Sequence, residues 1–205
     1  MSADTAQPMP TREEALRRLT APGQPHELIV VAGPRGPIRA FANAPANLGQ
    51  LYREARSDKP FLVYQDERLT FEQAWAQACA LGHALAADYG VRPGDRVAIS
   101  MRNFLEWMIA FNAATAIGAV AVAMNAMWQA HEMQYGLTDC GAKVLICDGE
   151  RLARLAQFEG GPPQDLPVIA VRLESPLPLA GRGLGVGVKR QAGESEPPSP
   201  DPFPA

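Results

Sequence analysis

One stretch constrains this chain more than any other: Gly94 to Asn125, GDRVAISMRNFLEWMIAFNAATAIGAVAVAMN. From Trp107 to Trp128, three residues past its end, there are 22 residues without a charge. A run of that length has two homes, a bilayer or the interior of a folded domain. Transfer energies decide between them. Ile109, Phe111, Ile117, Val120 and Val122 favour insertion by only about 0.3–0.6 kcal/mol each, and the eight alanines of the run add little. Asn112 and Asn125 would each place an amide in hydrocarbon, at a cost on the order of several kcal/mol if unpaired. The interior of an α/β domain is the better home. There the stretch divides into strand, helix and strand. Arg96 to Ser100 is β-rich, Asn103 is placed to cap a helix over Phe104 to Ile117, Gly118 stops that helix, and Ala119 to Met124 forms a second, buried strand. A crossover of this kind joins two parallel strands with a right-handed connection.

The flanks repeat the pattern. Thr11 and Glu14 form a capping-box pair opening a helix over about Arg12 to Leu19. Leu28 to Ala32 and Ile38 to Ala42 are β-like around the turn residues GPRGP, and Asn47 caps a helix reaching about Ser57. A second hairpin, Phe61 to Tyr64 and Arg68 to Thr70, leads into a helix capped by Thr70 and Gln73. Phe71, Trp75, Ala78, Gly82, Leu85 and Tyr89 recur along that helix at spacings of three and four, which places them on one face as core. After Asn125 come a helix over Gln129 to Leu137, the strand KVLIC at Lys143 to Cys147, a helix capped by Asp148 and running to about Phe158, and a strand at Pro167 to Val171. Alternation at this spacing predicts an α/β fold with a mostly parallel sheet.

Composition excludes several functions. A formal net charge of −3 without a basic stripe gives no basis for nucleic-acid binding. The N-terminal residues lack the apolar core of a secretory signal, and the three cysteines (Cys79, Cys140, Cys147) are odd in number and irregularly spaced. Both features point to reduced thiols in the cytoplasm. His26, His83 and His131 have no ligand spacing, so no metal site is expected. No nucleophile–base pattern stands out, and neither Asp66–Glu67 in a turn nor Glu106 in a first helical turn reads as a general acid or base. Of the 46 residues from Gly160 to Ala205, 17 are proline or glycine, so disorder is expected after about Leu173. The alternating Gly181, Gly183, Gly185 and Gly187 lack the spacing and the helix of a phosphate loop.

Three blocks in order, LTFEQA (69–74), VRPGDRVAISMRNFLEWMIAFNAATAIGAVAVAMN (91–125) and YGLTDCGAKVLI (135–146), resemble the N-terminal part of AMP-forming acyl-CoA synthetases, of the adenylate-forming superfamily. The resemblance covers roughly residues 25–172. Asn125 matches the acyl-CoA synthetase branch, while Ala123 stands where the family usually has proline. The resemblance implies a two-step ligase, in which ATP and a carboxylic acid give an acyl-adenylate and coenzyme A then displaces AMP. It implies ATP, Mg²⁺ and coenzyme A for the intact family and none of them for this fragment. The family's Ser/Thr/Gly triphosphate loop and catalytic lysine find no match here, so no catalytic, cofactor-binding or metal residue is assigned. The expected organisation is a polar arm with a short helix (1–24), a partial synthetase N-terminal domain (25–172) and a Pro/Gly-rich disordered tail (173–205). The expected role is a truncated, inactive N-terminal portion of such a synthetase. The alternative is a non-catalytic module that meets a protein partner, or a membrane surface, through the apolar helix Phe104 to Ile117.

Overall fold

The computed structural model describes residues 9–163 and 165–173. The expectations for the Pro/Gly-rich tail, including its alternating glycines, lie outside these residues. Two compact units divide between Ala46 and Asn47.

The first unit holds α1 (Arg12–Leu19) and an antiparallel hairpin of β1 (Leu28–Gly33) and β2 (Gly36–Phe41). Thr11 caps α1 by accepting from the Glu14 backbone N–H. Val30, Ile38 and Phe41 on the hairpin are exposed.

The second unit begins with α2 (Leu48–Glu54), which ends about three residues short of the expected boundary. A second hairpin follows, β3 (Pro60–Tyr64) with β4 (Glu67–Thr70), and then α3 (Phe71–Ala87). The capping box of Thr70 and Gln73 is formed in both directions. Trp75, Ala78, Gly82 and Leu85 of the apolar stripe are buried, and Phe71 and Tyr89 are half-buried.

The rest of the unit alternates strand and helix: β5 (Arg96–Ser100), α4 (Leu105–Ala116), β6 (Val120–Ala123), α5 (Ala130–Cys140), β7 (Val144–Asp148), α6 (Gly149–Leu155) and β8 (Val168–Val171). All four strands are parallel, in the order β6-β5-β7-β8. The fold is α/β, as the alternation implied. Strand residues alternate between two cores. Val97, Ile99, Val144 and Ile146 meet α3 and α4 residues such as Leu85, Ala110 and Ala113. Ala98, Leu145, Cys147 and Val168 meet Met133, Leu137, Leu152 and Leu155 of α5 and α6. The sheet is therefore the middle of three layers.

Three expectations need correction. Asn103 does not cap α4: the N-cap is Phe104, in extended backbone and without a side-chain cap bond, and the helix starts one residue later. Phe104 stays outside the helix because its ring lies edge-on against Tyr64, 5.3 Å between centroids. The strand after Gly118 is not buried: among the described residues β6 pairs only with β5, and Val120 is 48% exposed. Finally, α4 offers no exposed apolar face. None of its twelve residues is exposed, because α2, α3, β3 and the sheet pack around it. Its lack of charge beyond Glu106 reflects cover within this chain. No helix among the described residues is long and apolar enough to cross a membrane.

Candidate functional site

Parallel strands place their carboxyl ends on one edge of the sheet. The chain passes from β5 out to β6, then back across β5 to β7, so strand order reverses between β5 and β7. Sheets of this kind receive ligands in the crevice outside that point. Three segments meet there: Met101 to Phe104 after β5, Asn125 to Gln129 after β6, and Asp148 ending β7.

A buried ionic cluster ties these segments together. Asp148 caps α6 by accepting from the Arg151 backbone N–H at 2.9 Å, and it accepts from the Arg102 backbone N–H at 3.0 Å. The Arg151 guanidinium is 1% exposed and lies 3.1 Å from the Asp148 carboxylate. It also donates through Nε to the Ala126 carbonyl at 3.0 Å, and a second nitrogen reaches the same oxygen. Arg154 donates to the Ala126 and Trp128 carbonyls. Glu150 accepts from Arg151 at 2.8 Å and from Arg154 at 2.6 Å. Asn125 starts the turn that these arginines read: its Oδ1 accepts from the Met127 N–H and its carbonyl from the Trp128 N–H. The cluster fixes the rim of the crevice. Its carboxylates and guanidinia are turned on one another and on carbonyls, so Asp148 acts as an anchor between the three segments.

Cys147, next to Asp148, is buried, and that burial pushes its thiol up to about 12. It stays a protonated apolar side chain and not a nucleophile. Cys79 is also buried and Cys140 half-buried, all three as free thiols. The sequence placed Glu67 and Glu106 in unrelated roles, but tertiary structure brings both onto Arg172. That convergence had no signal in the spacing. The same carboxylates line a shallow cleft of about 230 Å³ with Arg68, Leu69, Gln77 and Leu105. Ligand pockets commonly run to about 300–1,000 Å³, so the cleft is small for a nucleotide.

Comparison with known proteins completes the assignment. The family model described as AMP-binding enzyme matches residues 51–202. The chain belongs to this family. The match starts inside α2, so the first unit lies outside it. A medium/long-chain-fatty-acid–CoA ligase of Mycobacterium tuberculosis is 30% identical over 132 residues, covering 63% of this chain and 22% of the relative. A 2-succinylbenzoate–CoA ligase of Bacillus subtilis is 34% identical over 87 residues, covering 42% and 18%. Among solved structures, an anthranilate CoA ligase in complex with anthranoyl-AMP superposes with a TM-score of 0.59 at 29% identity, covering 63% of this chain and 26% of the other. The N-terminal domain of FACL13 from Mycobacterium tuberculosis gives 0.56 at 29% identity, covering 62% and 34%. The chain spans about a fifth of the length of the curated relatives it matches.

The arginines at the crevice are held by carboxylates and carbonyls, Lys143 is held by the Gly90 carbonyl and Asp95, and no group of three or more His, Cys, Asp or Glu among the described residues is placed to hold a metal ion.

Proposed function

We propose that this chain supplies the N-terminal scaffold of an AMP-forming acyl-CoA synthetase, working in the cytoplasm, and has no ligase activity alone. The observation carrying this reading is the pairing of a family match over 51–202 with a crevice whose charged groups are committed to holding the fold together. In the complete enzyme the parallel sheet and its anchored rim form one wall beside the nucleotide and acyl sites. Residues elsewhere hold ATP, Mg²⁺ and coenzyme A and perform the adenylation and thioester steps. The carboxylic acid stays unspecified, because relatives named for long-chain fatty acids and relatives named for aryl acids both match this chain. On this organisation the synthetase portion, placed at 25–172, overlaps the family match over 51–172, while the match itself runs on to 202.

Carboxylate-dependent ATP–pyrophosphate exchange tests the reading. The purified 205-residue chain is expected to give none with a panel of fatty and aryl acids. Exchange above the no-acid background overturns it.

One observation favours a second reading, that of a module completed by another chain. Strand β6 is an unpaired edge among the described residues, and Met127 just beyond it is 73% exposed. Such an edge is a template for strand addition. A monodisperse monomer that binds no hydrophobic dye removes this reading.

A further inference from the structure

Arg172, just past β8, has φ +54°, in the left-handed region that a non-glycine residue seldom adopts. Its guanidinium is met on every side. Nη1 and Nη2 donate to the two Glu67 oxygens at 2.6 and 2.9 Å. Nε donates to both Glu106 oxygens at 3.0 and 3.1 Å, and Nη2 adds a third bond to Glu106 at 3.1 Å. The carbon at its centre lies 5.5 Å from the Tyr64 ring centroid and 5.1 Å from that of Phe104. Those rings stand nearly perpendicular, at 81°, and form two walls of a corner. Glu67, then Glu106, hold the guanidinium proton more firmly than usual, against partial burial.

An isolated surface ion pair adds little. This arrangement differs in kind: two carboxylates take two edges of a planar fork while two aromatic rings form a corner beside it. A compact ammonium ion has no planar fork with which to meet both carboxylates bidentately while lying between the two rings. The four receptor residues come from β3, β4 and the start of α4, whereas the occupant follows β8. We propose that Tyr64, Glu67, Phe104 and Glu106 form a guanidinium-binding cage, filled in cis by Arg172, which latches the β3–β4 hairpin to the end of the parallel sheet. This inference is independent of the ligase reading.

Chemical rescue tests it on the full chain. Arg172→Ala empties the cage, and amide hydrogen exchange across residues 60–70 is expected to rise about tenfold or more, the scale of losing charge-assisted bonds. Millimolar methylguanidinium chloride is expected to restore protection, and methylammonium chloride at the same concentration is not. Unchanged exchange in Arg172→Ala, or equal restoration by both salts, or by neither, overturns the proposal. If Arg172→Ala does not fold, Glu67→Gln provides the second test. It keeps the shape of the cage but removes one charge, and faster hairpin exchange that methylguanidinium does not restore is expected. An unperturbed hairpin in that variant also overturns the proposal.

Discussion

Replacing Arg151 by methionine removes the centre of the rim while keeping an unbranched, helix-compatible side chain. Asp148 is 3% exposed, so it would be left as a buried carboxylate without its guanidinium. Breaking a buried pair on one side costs about 3–5 kcal/mol. Asp148 would keep two backbone donors, the N–H groups of residues 102 and 151, which favours the lower end. The Ala126 carbonyl would lose its Arg151 donors and keep only Arg154 at 3.3 Å. The expected loss is therefore about 3 kcal/mol, a large part of a total stability of about 5–15 kcal/mol. With a urea m-value of about 2 kcal/mol/M, the midpoint falls by about 1.5 M. Urea titration followed by circular dichroism measures this. Adding Asp148→Asn should recover part of the loss, since the stranded charge is then gone. A midpoint shift under about 0.3 M for Arg151→Met, equivalent to about 0.6 kcal/mol, refutes the view that this pair holds the crevice rim.

Edge geometry separates two prolines on β6. The N–H groups of Val120 and Met124 donate to the carbonyls of Asp95, just before β5, and Ile99 within it, which puts the Ala123 N–H on the open side, so Ala123→Pro is expected to stay folded and aggregate less. Val122→Pro interrupts the ladder and is expected to lose about 3 kcal/mol or more; equal behaviour of the two by light scattering and urea titration refutes the assigned register. On α5, a Cβ at Gly136 would lie 2.7 Å from the Trp128 ring and 3.1 Å from Met124, so Gly136→Ala is expected to lose about 1–3 kcal/mol in urea titration despite alanine's helix preference. For Cys147 the folded thiol titrates at about 12 against 9.0 in the unfolded chain, so unfolding releases a proton between those values. Its contribution is constant below pH 9.0 and stability falls as pH rises toward 12, by up to about 1.4 kcal/mol per pH unit. Cys147→Ala should flatten that slope in urea titrations at pH 8 and 10.5, and an unchanged slope refutes the assignment.

Local signals were legible in this chain wherever a short-range rule decides the conformation. Thr11, Asn47, Thr70 and Asp148 cap the helices expected of them, because an oxygen two or three residues before a free N–H suffices. Gly118 and Gly141 adopt positive φ where helices end. Asn103 failed as a cap because the packing of the Phe104 ring on Tyr64 overrode a local preference. The uncharged run could not say which neighbours cover it. Burial of α4 and exposure of β6 are set by strand order, which periodicity does not encode.

The stretch from Gly94 to Asn125 by itself determined a strand–helix–strand crossover and, through its flanking blocks, the family. Those properties follow from residue type and from spacings of two, three and four along the chain. Only the tertiary structure decided that β6 is an edge, that Arg151 is the buried centre of the crevice rim, and that Glu67, Glu106 and Arg172 meet. Arg172 lies 105 residues from Glu67 and 66 from Glu106 in sequence. The chain closes those distances only by building the sheet, because a guanidinium and two carboxylates so far apart carry no local energy that would bring them together.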